Sequence, residues 1–375
     1  PMIDGKVVGC PHHILEPQRT NLITYSEDFL SGWILDNTTV VANSAVSPDG
    51  SLNADKIIAT AINSSHSAFI SLSSSTSSGT SYCYSFFAKA EEYTKTAIRI
   101  GGGGYSSQPM AVINLLNGSV VSQQGFISLS VKDFSNGWYK INAVFTATSS
   151  VAPNIQPIAD GFTTTSDNYT YNGDGTSGIY IWGAMFEQGS YATSYIPTNG
   201  SATTRSAEVA NGSGDADTFN DSEGVLMVEA SALADDSVAE GISISDGTIG
   251  NRVVIFKWTA SNTIRVRVAS DGFNYFESTV VVSDITTINK IAVKYKSNDF
   301  SLWINGIELD TDVNGITPIG LNMLNINGAT VASPFYGNTK QIQYYDSALT
   351  DSELEQLTSW VSFSDMANGQ LYSIE

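Results

Sequence analysis

The strongest constraint on this chain is a regular alternation of apolar and polar residues within short segments. The segment TIRVRVAS places Ile264, Val266 and Val268 on one side and Arg265 and Arg267 on the other. A period of two residues indicates a β-strand, because successive side chains of a strand point to opposite faces. Such segments recur about every 8–12 residues between clusters of Gly, Asn, Asp and Ser, which is typical of β-sandwiches.

The segment FSLWINGIEL shows the same alternation and contains a turn signal. Leu302 and Ile304 fall on one face of the predicted strand and Trp303 on the other. Asn305-Gly306 follows, and both residue types tolerate the positive φ angles of a two-residue hairpin turn. The sequence therefore predicts a tight hairpin at this position.

One segment, ALTDSELEQLTSW, predicts a helix. Thr350 is placed as the N-cap, and Glu353 three residues later completes a capping box. Leu349 and Leu354 can form the hydrophobic staple around this cap. Leu354 and Leu357 are then expected to face a sheet.

A length of 375 residues suits two domains. A segment rich in Gly and small polar residues, 194–215, marks the connector between them. We expect an all-β fold of two tandem β-sandwiches with one short C-terminal helix. The predicted parts are an N-terminal connecting segment (1–20), a first sandwich (21–198), a linker (199–218), a second sandwich (219–362) and a C-terminal tail (363–375).

The charge balance excludes some partners. Seventeen basic and 37 acidic side chains give a formal net charge of −20. Nucleic acids and anionic membrane surfaces would be repelled, so neither is expected as a partner. No apolar run approaches the ~18 residues of a membrane-spanning helix.

The cysteine and histidine content argues against a zinc site. The two cysteines, Cys10 and Cys83, form no disulfide framework and are interpreted as free thiols, with a disulfide between them as the alternative. CPHH (10–13) offers a thiolate and two imidazoles, but a tetrahedral zinc site needs a further ligand cluster. We interpret CPHH as part of an exposed entry segment.

The motifs of common enzymes are missing or incomplete, so we expect no catalytic residues. GGGGYSS (101–107) lacks the Lys and the following helix of a phosphate-binding loop. Three histidines make a nucleophile–base pair improbable. ELDTDV (308–313), with Glu308, Asp310 and Asp312, is closest to a paired-carboxylate strand but follows a turn and is interpreted as a solvated strand end.

The stretch EPQRTNLITYSEDFLSGW (16–33) concentrates charged and aromatic residues. Glu27 and Asp28 are adjacent, so a strand would point them to opposite faces and prevent them from acting as an acid–base pair. We predict a strand over TNLITY, then a loop that Trp33 anchors. Structural roles for the two carboxylates are favoured, and a calcium site in the loop is the alternative.

Exposed aromatic rings are the best candidates for a binding surface, since sugars stack their C–H faces on them. The candidate glycan-binding residues are Trp303, Tyr275, Trp258 and Phe276. Trp258 shares a predicted face with Phe256, and Tyr275 and Phe276 lie in the turn-rich segment DGFNYFES. The alternative for each ring is packing between the sheets.

Several blocks of sequence resemble known families. The first domain, over about residues 10–205, resembles a jelly-roll domain that is common in bacteriophage tail and virion proteins and is related to carbohydrate-binding-module jelly rolls. The blocks that carry this resemblance are LEPQRTNLITYSEDF, SPDGSLNADKI, YCYSFFAKA, NGWYKI and IYIWGAMFEQGSYATSYIPT. The second domain, over about residues 219–362, resembles concanavalin A-like domains of the laminin-G type through GISISDGTIGNRVVIFKW, KIAVKYKSNDFSLWINGIEL and PFYGNTKQIQYYDSALTDSELEQLTSW.

These resemblances imply a non-catalytic protein of the virion surface, a head or tail fibre or a decoration. Its expected role is adhesion to host or environmental glycans, with other virion proteins and further copies of itself as partners. No cofactor is expected; laminin-G relatives often hold a calcium ion, whose ligands are unassigned in this sequence. The alternatives are a purely structural decoration without sugar binding and an accessory glycan-binding module of a secreted polysaccharide-degrading enzyme.

Overall fold

The structure is a computed structural model that describes residues 2–3, 6–7, 13–72, 76–148, 151–165, 169–329, 333–362, 366 and 369. The chain forms two compact units. We call the described residues of 18–206 the first sandwich, and the described residues of 13–17 and 207–369 the second sandwich. Each contains two six-stranded antiparallel sheets, which confirms the predicted all-β fold of two tandem sandwiches.

The strands and the helix have the following bounds. Up to residue 206 the strands are β1 (Met2–Ile3), β2 (Lys6–Val7), β3 (His13–Leu15), β4 (Arg19–Asn21), β5 (Ile34–Asp36), β6 (Thr38–Val46), β7 (Leu52–Ala59), β8 (Asn63–Ser64), β9 (Ser67–Phe69), β10 (Ser81–Ala90), β11 (Lys95–Gly101), β12 (Met110–Asn114), β13 (Val120–Gln124), β14 (Ser128–Asp133), β15 (Trp138–Thr146), β16 (Ala152–Ile158), β17 (Tyr171–Asn172), β18 (Gly178–Gln188) and β19 (Thr203–Arg205). After it come β20 (Asn211–Ser213), β21 (Glu223–Ala232), β22 (Glu240–Ser245), β23 (Arg252–Lys257), β24 (Thr263–Ser270), β25 (Phe273–Val281), β26 (Asn289–Lys296), β27 (Phe300–Ile304), β28 (Ile307–Asp312), β29 (Met323–Asn325), β30 (Gly337–Tyr345) and α1 (Asp351–Thr358).

The first sandwich packs the sheet β14-β15-β10-β18-β7-β6 against the sheet β13-β12-β11-β16-β9-β5. Alternate residues of the strands fill the space between them, and aromatic rings such as Tyr84, Phe86, Phe145 and Phe186 are fully buried there. The burial of these large rings supplies much of the apolar area that stabilises the unit.

The second sandwich packs the sheet β20-β29-β22-β23-β24-β25 against the sheet β28-β27-β26-β21-β30-β3. Ile264, Val266 and Val268 lie in its core, as the alternation of TIRVRVAS predicts. The hairpin between β27 and β28 is also confirmed: Ile304 pairs with Ile307, and Asn305 and Gly306 have positive φ angles of 51° and 86°.

The N-terminal segment has a structure that the sequence pattern does not reveal. We predicted a connecting segment over 1–20, whereas β3 pairs with β30 as an edge strand of the second sandwich. Leu15 is buried, and the backbone N–H of Glu16 donates to the carboxylate of Glu208 at 2.7 Å. Local periodicity cannot identify a pairing partner more than 300 residues away in sequence.

The helix α1 is the predicted one, with both halves of its capping box. The Thr350 side chain accepts from the backbone N–H of Glu353, and the Glu353 carboxylate accepts from the backbone N–H of Thr350 at 2.8 Å. Leu354 is fully buried against the outer face of the sheet that contains β21, β26 and β27. The helix therefore covers one outer face of the second sandwich.

Candidate functional site

Two of the four candidate aromatic residues are buried. Trp303 is 6% exposed and packs under α1 with Met227 and Leu354. Phe276 is 3% exposed and stacks on Phe300 inside the core, with ring centroids 5.9 Å apart. Neither ring can present a face to a ligand, so the structure removes Trp303 and Phe276 from the candidate site.

Tyr275 is half-buried and lies at a β-bulge. Val268 pairs with Phe276, but the next residue, Ala269, pairs with Asn274, so Tyr275 has no partner on β24. A bulge of this kind interrupts the alternation of side chains along a strand. Tyr275 therefore lies outside the regular alternation of side chains along β25, and the sequence analysis had placed it in a turn-rich segment.

Trp258 lies on the outer face of the sheet that contains β23, β24 and β25. It is half-buried and follows β23 directly. Residues that pair directly across antiparallel strands share a face, so the pairs of Val254 with Arg267 and of Phe256 with Arg265 place these side chains on one side. We call this surface the arginine face, and its members are Arg252, Phe256, Trp258, Arg265, Arg267 and Glu277.

The tryptophan ring contacts two guanidinium groups. The guanidinium carbon of Arg265 lies 4.3 Å from the centroid of the Trp258 ring, and that of Arg267 lies 5.5 Å from it. The ring of Phe256 is 5.8 Å from that of Trp258, centroid to centroid. Cations over the face of an indole ring are stabilised by its quadrupole, so these contacts hold the ring and both arginines in a defined arrangement.

Glu277 provides a carboxylate between the two arginines. It accepts a hydrogen bond from Arg265, another from Nε of Arg267 at 2.6 Å, and a third from the Asn274 amide at 2.7 Å. A carboxylate that bridges two guanidinium groups neutralises one of their charges. The pair Arg265–Arg267 therefore retains an excess of positive charge.

Arg252 is the third arginine of this face and is almost entirely buried. It donates to the carbonyl oxygen of Gly328 and lies over the Phe256 ring at 5.5 Å, while its Nε has no hydrogen-bond partner. Burial and the neighbouring Arg267 lower the pKa of Arg252 to about 10. A lowered pKa means that desolvation and the like charge of Arg267 both disfavour the charged form of Arg252. The guanidinium group nevertheless remains protonated at neutral pH.

The alternation of the segment NRVVIFKW indicates the position of Arg252. In NRVVIFKW, alternate positions are Arg252, Val254, Phe256 and Trp258. A strand places all four on one face, so an arginine belongs to the row that ends at the candidate tryptophan.

The charged stretch 16–33 has structural contacts. Glu27 accepts hydrogen bonds from the Tyr195 hydroxyl at 2.9 Å and from the Asn53 amide at 3.0 Å, and Asp28 accepts from the backbone N–H of Leu30. Trp33 donates from Nε1 to the carbonyl oxygen of Tyr25 at 2.9 Å, as expected for the residue that anchors the loop. The strand is shorter than predicted, since β4 ends at Asn21.

The metal and thiol candidates that the structure describes form no ligand cluster. Among the described residues, no group of three or more His, Cys, Asp or Glu side chains is arranged to hold a metal ion. Cys83 is a free thiol whose pKa is raised by burial, and Cys10 lies outside the described residues. His66 is buried, with ring nitrogens 2.6 Å from the Asn37 carbonyl oxygen and 3.2 Å from that of Tyr171. No helix within the described ranges has the length and hydropathy that crossing a membrane requires.

The sequence matches no protein-family model and no curated protein. Solved structures resemble part of the chain. The CBM40 of the Ruminococcus gnavus IT-sialidase is 20% identical, with a TM-score of 0.33, over 40% of this chain and 95% of its own. A SAP-like pentraxin from Limulus polyphemus is 10% identical (TM-score 0.30, 38% of this chain and 71% of its own), and sheep galectin-11 is 9% identical (TM-score 0.25, 32% and 89%). These are likenesses of fold, and the site has to be assigned from its own residues.

Proposed function

We propose that this chain is a non-catalytic glycan-binding protein and that the arginine face is its binding surface. The observation that carries the proposal is the position of Trp258, half-buried beside Arg265 and Arg267 on an outer sheet face. The helix α1 packs on the other sheet of this sandwich and leaves the arginine face uncovered by it.

The chemistry of this surface suits a saccharide. An indole ring offers an apolar plane for the C–H groups of a sugar ring, and guanidinium N–H groups donate hydrogen bonds to sugar oxygens. The side chains of Arg265 and Arg267 retain 19% and 20% exposure, so they are accessible from solvent. A small surface of this kind binds weakly per site and gains strength when many copies act together.

We place the protein on the surface of a bacteriophage particle, as a head or tail fibre or a decoration. The support for this placement is the resemblance of the first domain to a jelly-roll domain that is common in bacteriophage tail and virion proteins, together with a net charge that favours solubility in many copies. Its partners would then be other virion proteins, further copies of itself and a cell-surface or environmental polysaccharide. Labelling of source particles with an antibody against the chain tests the placement, and particles without label would contradict it.

Glycan binding is tested with the full chain displayed in many copies on beads and presented to bacterial and algal polysaccharides. We expect Trp258→Ala to weaken binding about tenfold, because the loss of ring stacking is worth about 1.4 kcal/mol. The matched control is Phe273→Ala, which removes an exposed ring from the start of β25. Unchanged binding by the Trp258 variant, or no detectable binding of the parent protein to any polysaccharide, would contradict the proposal and favour a purely structural role.

A further inference from the structure

Positive charge is concentrated on the arginine face although the chain as a whole is acidic. The sequence contains six arginines and has a formal net charge of −20. Three of those arginines, Arg252, Arg265 and Arg267, lie on this one face. A local cationic patch on an acidic protein indicates a requirement for positive charge at that position rather than general solvation.

The contacts of Glu277 show what these arginines can hold. Both of its carboxylate oxygens accept from guanidinium groups, one from Arg265 and the other from Arg267 at 2.6 Å, and the Asn274 amide adds a third donor at 2.7 Å. Planar guanidinium groups bind carboxylates and other oxyanions through paired N–H donors. The face therefore already binds one carboxylate, which is supplied by the chain itself.

Arg252 adds a further cation to this face, and no anion is among its described contacts. Its described contacts are a neutral carbonyl oxygen and an aromatic ring, and its Nε has no hydrogen-bond partner. It pairs across the sheet with Ala269, two residues from Arg267, so the two guanidinium groups are diagonal neighbours on one face. An uncharged sugar would not offset the repulsion between them, whereas an anionic group would.

We infer that the arginine face selects saccharides that carry an anionic group, with the anion bound beside Arg252 and Arg267 and the sugar ring on Trp258. The inference rests on the proposed function and names its class of ligand. Carboxylate and sulfate groups share the required chemistry, because each presents oxygens that accept from guanidinium donors.

The test compares pairs of oligosaccharides that differ in the charged group alone. One pair is oligogalacturonate against its carboxyl-reduced, neutral form, and the other is a sulfated galactan oligosaccharide against its desulfated form. Binding to the full chain is measured by calorimetry at 50 mM and at 500 mM NaCl. We expect the charged member of at least one pair to bind tenfold or more tightly at 50 mM, and the preference to shrink at 500 mM because salt screens the attraction. The pair that responds identifies the source of the anion as carboxylate or sulfate.

Variants assign the preference to the arginines. Arg252→Met and Arg267→Met should each remove most of the preference while weak binding through Trp258 persists. Glu277→Gln should increase the preference several-fold, because it removes the internal carboxylate. Lys132→Met is the matched control, since it deletes an equal charge from an exposed position on β14 of the first sandwich. If Arg252→Met fails to fold because Arg252 is buried, Arg267→Met still tests the inference, since Arg267 is half-buried.

The outcomes separate the inference from the proposed function. Equal binding of charged and neutral members that is still lost in Trp258→Ala would overturn the inference and leave glycan binding intact. A preference that survives in Arg267→Met would also overturn it. No binding of either member of either pair, with polysaccharides likewise silent, would overturn both.

Discussion

The two outer faces of the second sandwich are built by the same alternation of side chains, but the helix α1 covers one of them and not the other. One face carries Trp303 and is covered by α1, which buries Trp303 together with Val225, Met227 and Ala292. The other face carries Trp258, which remains half-buried among arginines. One tryptophan therefore belongs to a small second core and the other to a surface.

The difference teaches that a strand pattern assigns a side chain to a face but does not say what covers that face. Trp303 and Trp258 occupy equivalent positions in their patterns, opposite to core residues of their strands. What separates them is a helix that lies more than 45 residues after Trp303 in the chain. Substitutions on the two faces should consequently affect different properties.

The largest expected effect is on stability, from Trp303→Ala. Removing a buried tryptophan leaves a cavity and should lower the free energy of unfolding by about 3–5 kcal/mol. Trp258→Ala should lower it by about 1 kcal/mol or less, because that side chain is half-exposed. Calorimetric unfolding of both variants measures the difference. Equal losses would show that the two faces are equivalent, and Trp303→Phe, which keeps most of the volume, is the control.

The second prediction tests how much the packing of α1 over Trp303 contributes to stability. Leu354 is fully buried between the helix and the sheet, so Leu354→Ala should lower the free energy of unfolding by about 2–4 kcal/mol. Leu357→Ala, from the same helix but half-buried, should cost less. Glycan binding at the arginine face should be unchanged in both variants at temperatures well below unfolding. Lost binding in the folded Leu354 variant would mean that the two faces are coupled.

Much of the fold could be predicted because its signals are local. Alternation in TIRVRVAS predicted Ile264, Val266 and Val268 on one face and the two arginines on the other. The three aliphatic residues lie in the core and the arginines on the arginine face. The Asn305-Gly306 turn and the capping box of α1 are likewise read within a few residues.

The features that escaped prediction depend on contacts between distant segments. β3 pairs with β30 across more than 300 residues, and Trp303 is buried by a helix from elsewhere in the chain. Tyr275 lies at a bulge, and one extra residue in a strand changes the face of those that follow. The arginine face combines residues from three strands. The pattern of each strand predicts which of its residues share a face, but it does not predict which strands are neighbours.

A smaller effect is expected from the cap of the covering helix. Thr350→Ala removes the side-chain acceptor for the backbone N–H of Glu353, and the loss of an N-cap costs about 1 kcal/mol. Thr350→Ser keeps the hydroxyl and should be close to the parent protein. Chemical denaturation followed by circular dichroism measures both variants. An alanine variant as stable as the parent would mean that packing alone holds the helix.

The smallest expected effect is the pH dependence of the stability that Thr350→Ala loses. Hydrogen bonds from the Thr350 hydroxyl and backbone N–H lower the pKa of Glu353 below its usual 4.5. A carboxyl group whose pKa is lower in the folded state stabilises the fold above its unfolded pKa, and this contribution disappears as the pH falls through the folded value. The stability gap between the parent and Thr350→Ala should therefore be widest above about pH 4.5 and narrow below it, because a protonated Glu353 no longer accepts from the threonine as an anion. The remaining gap at low pH measures the threonine cap alone. A gap of constant size from pH 7 to pH 3.5 would show that the hydrogen bond from the Thr350 hydroxyl to the Glu353 carboxylate contributes nothing to stability.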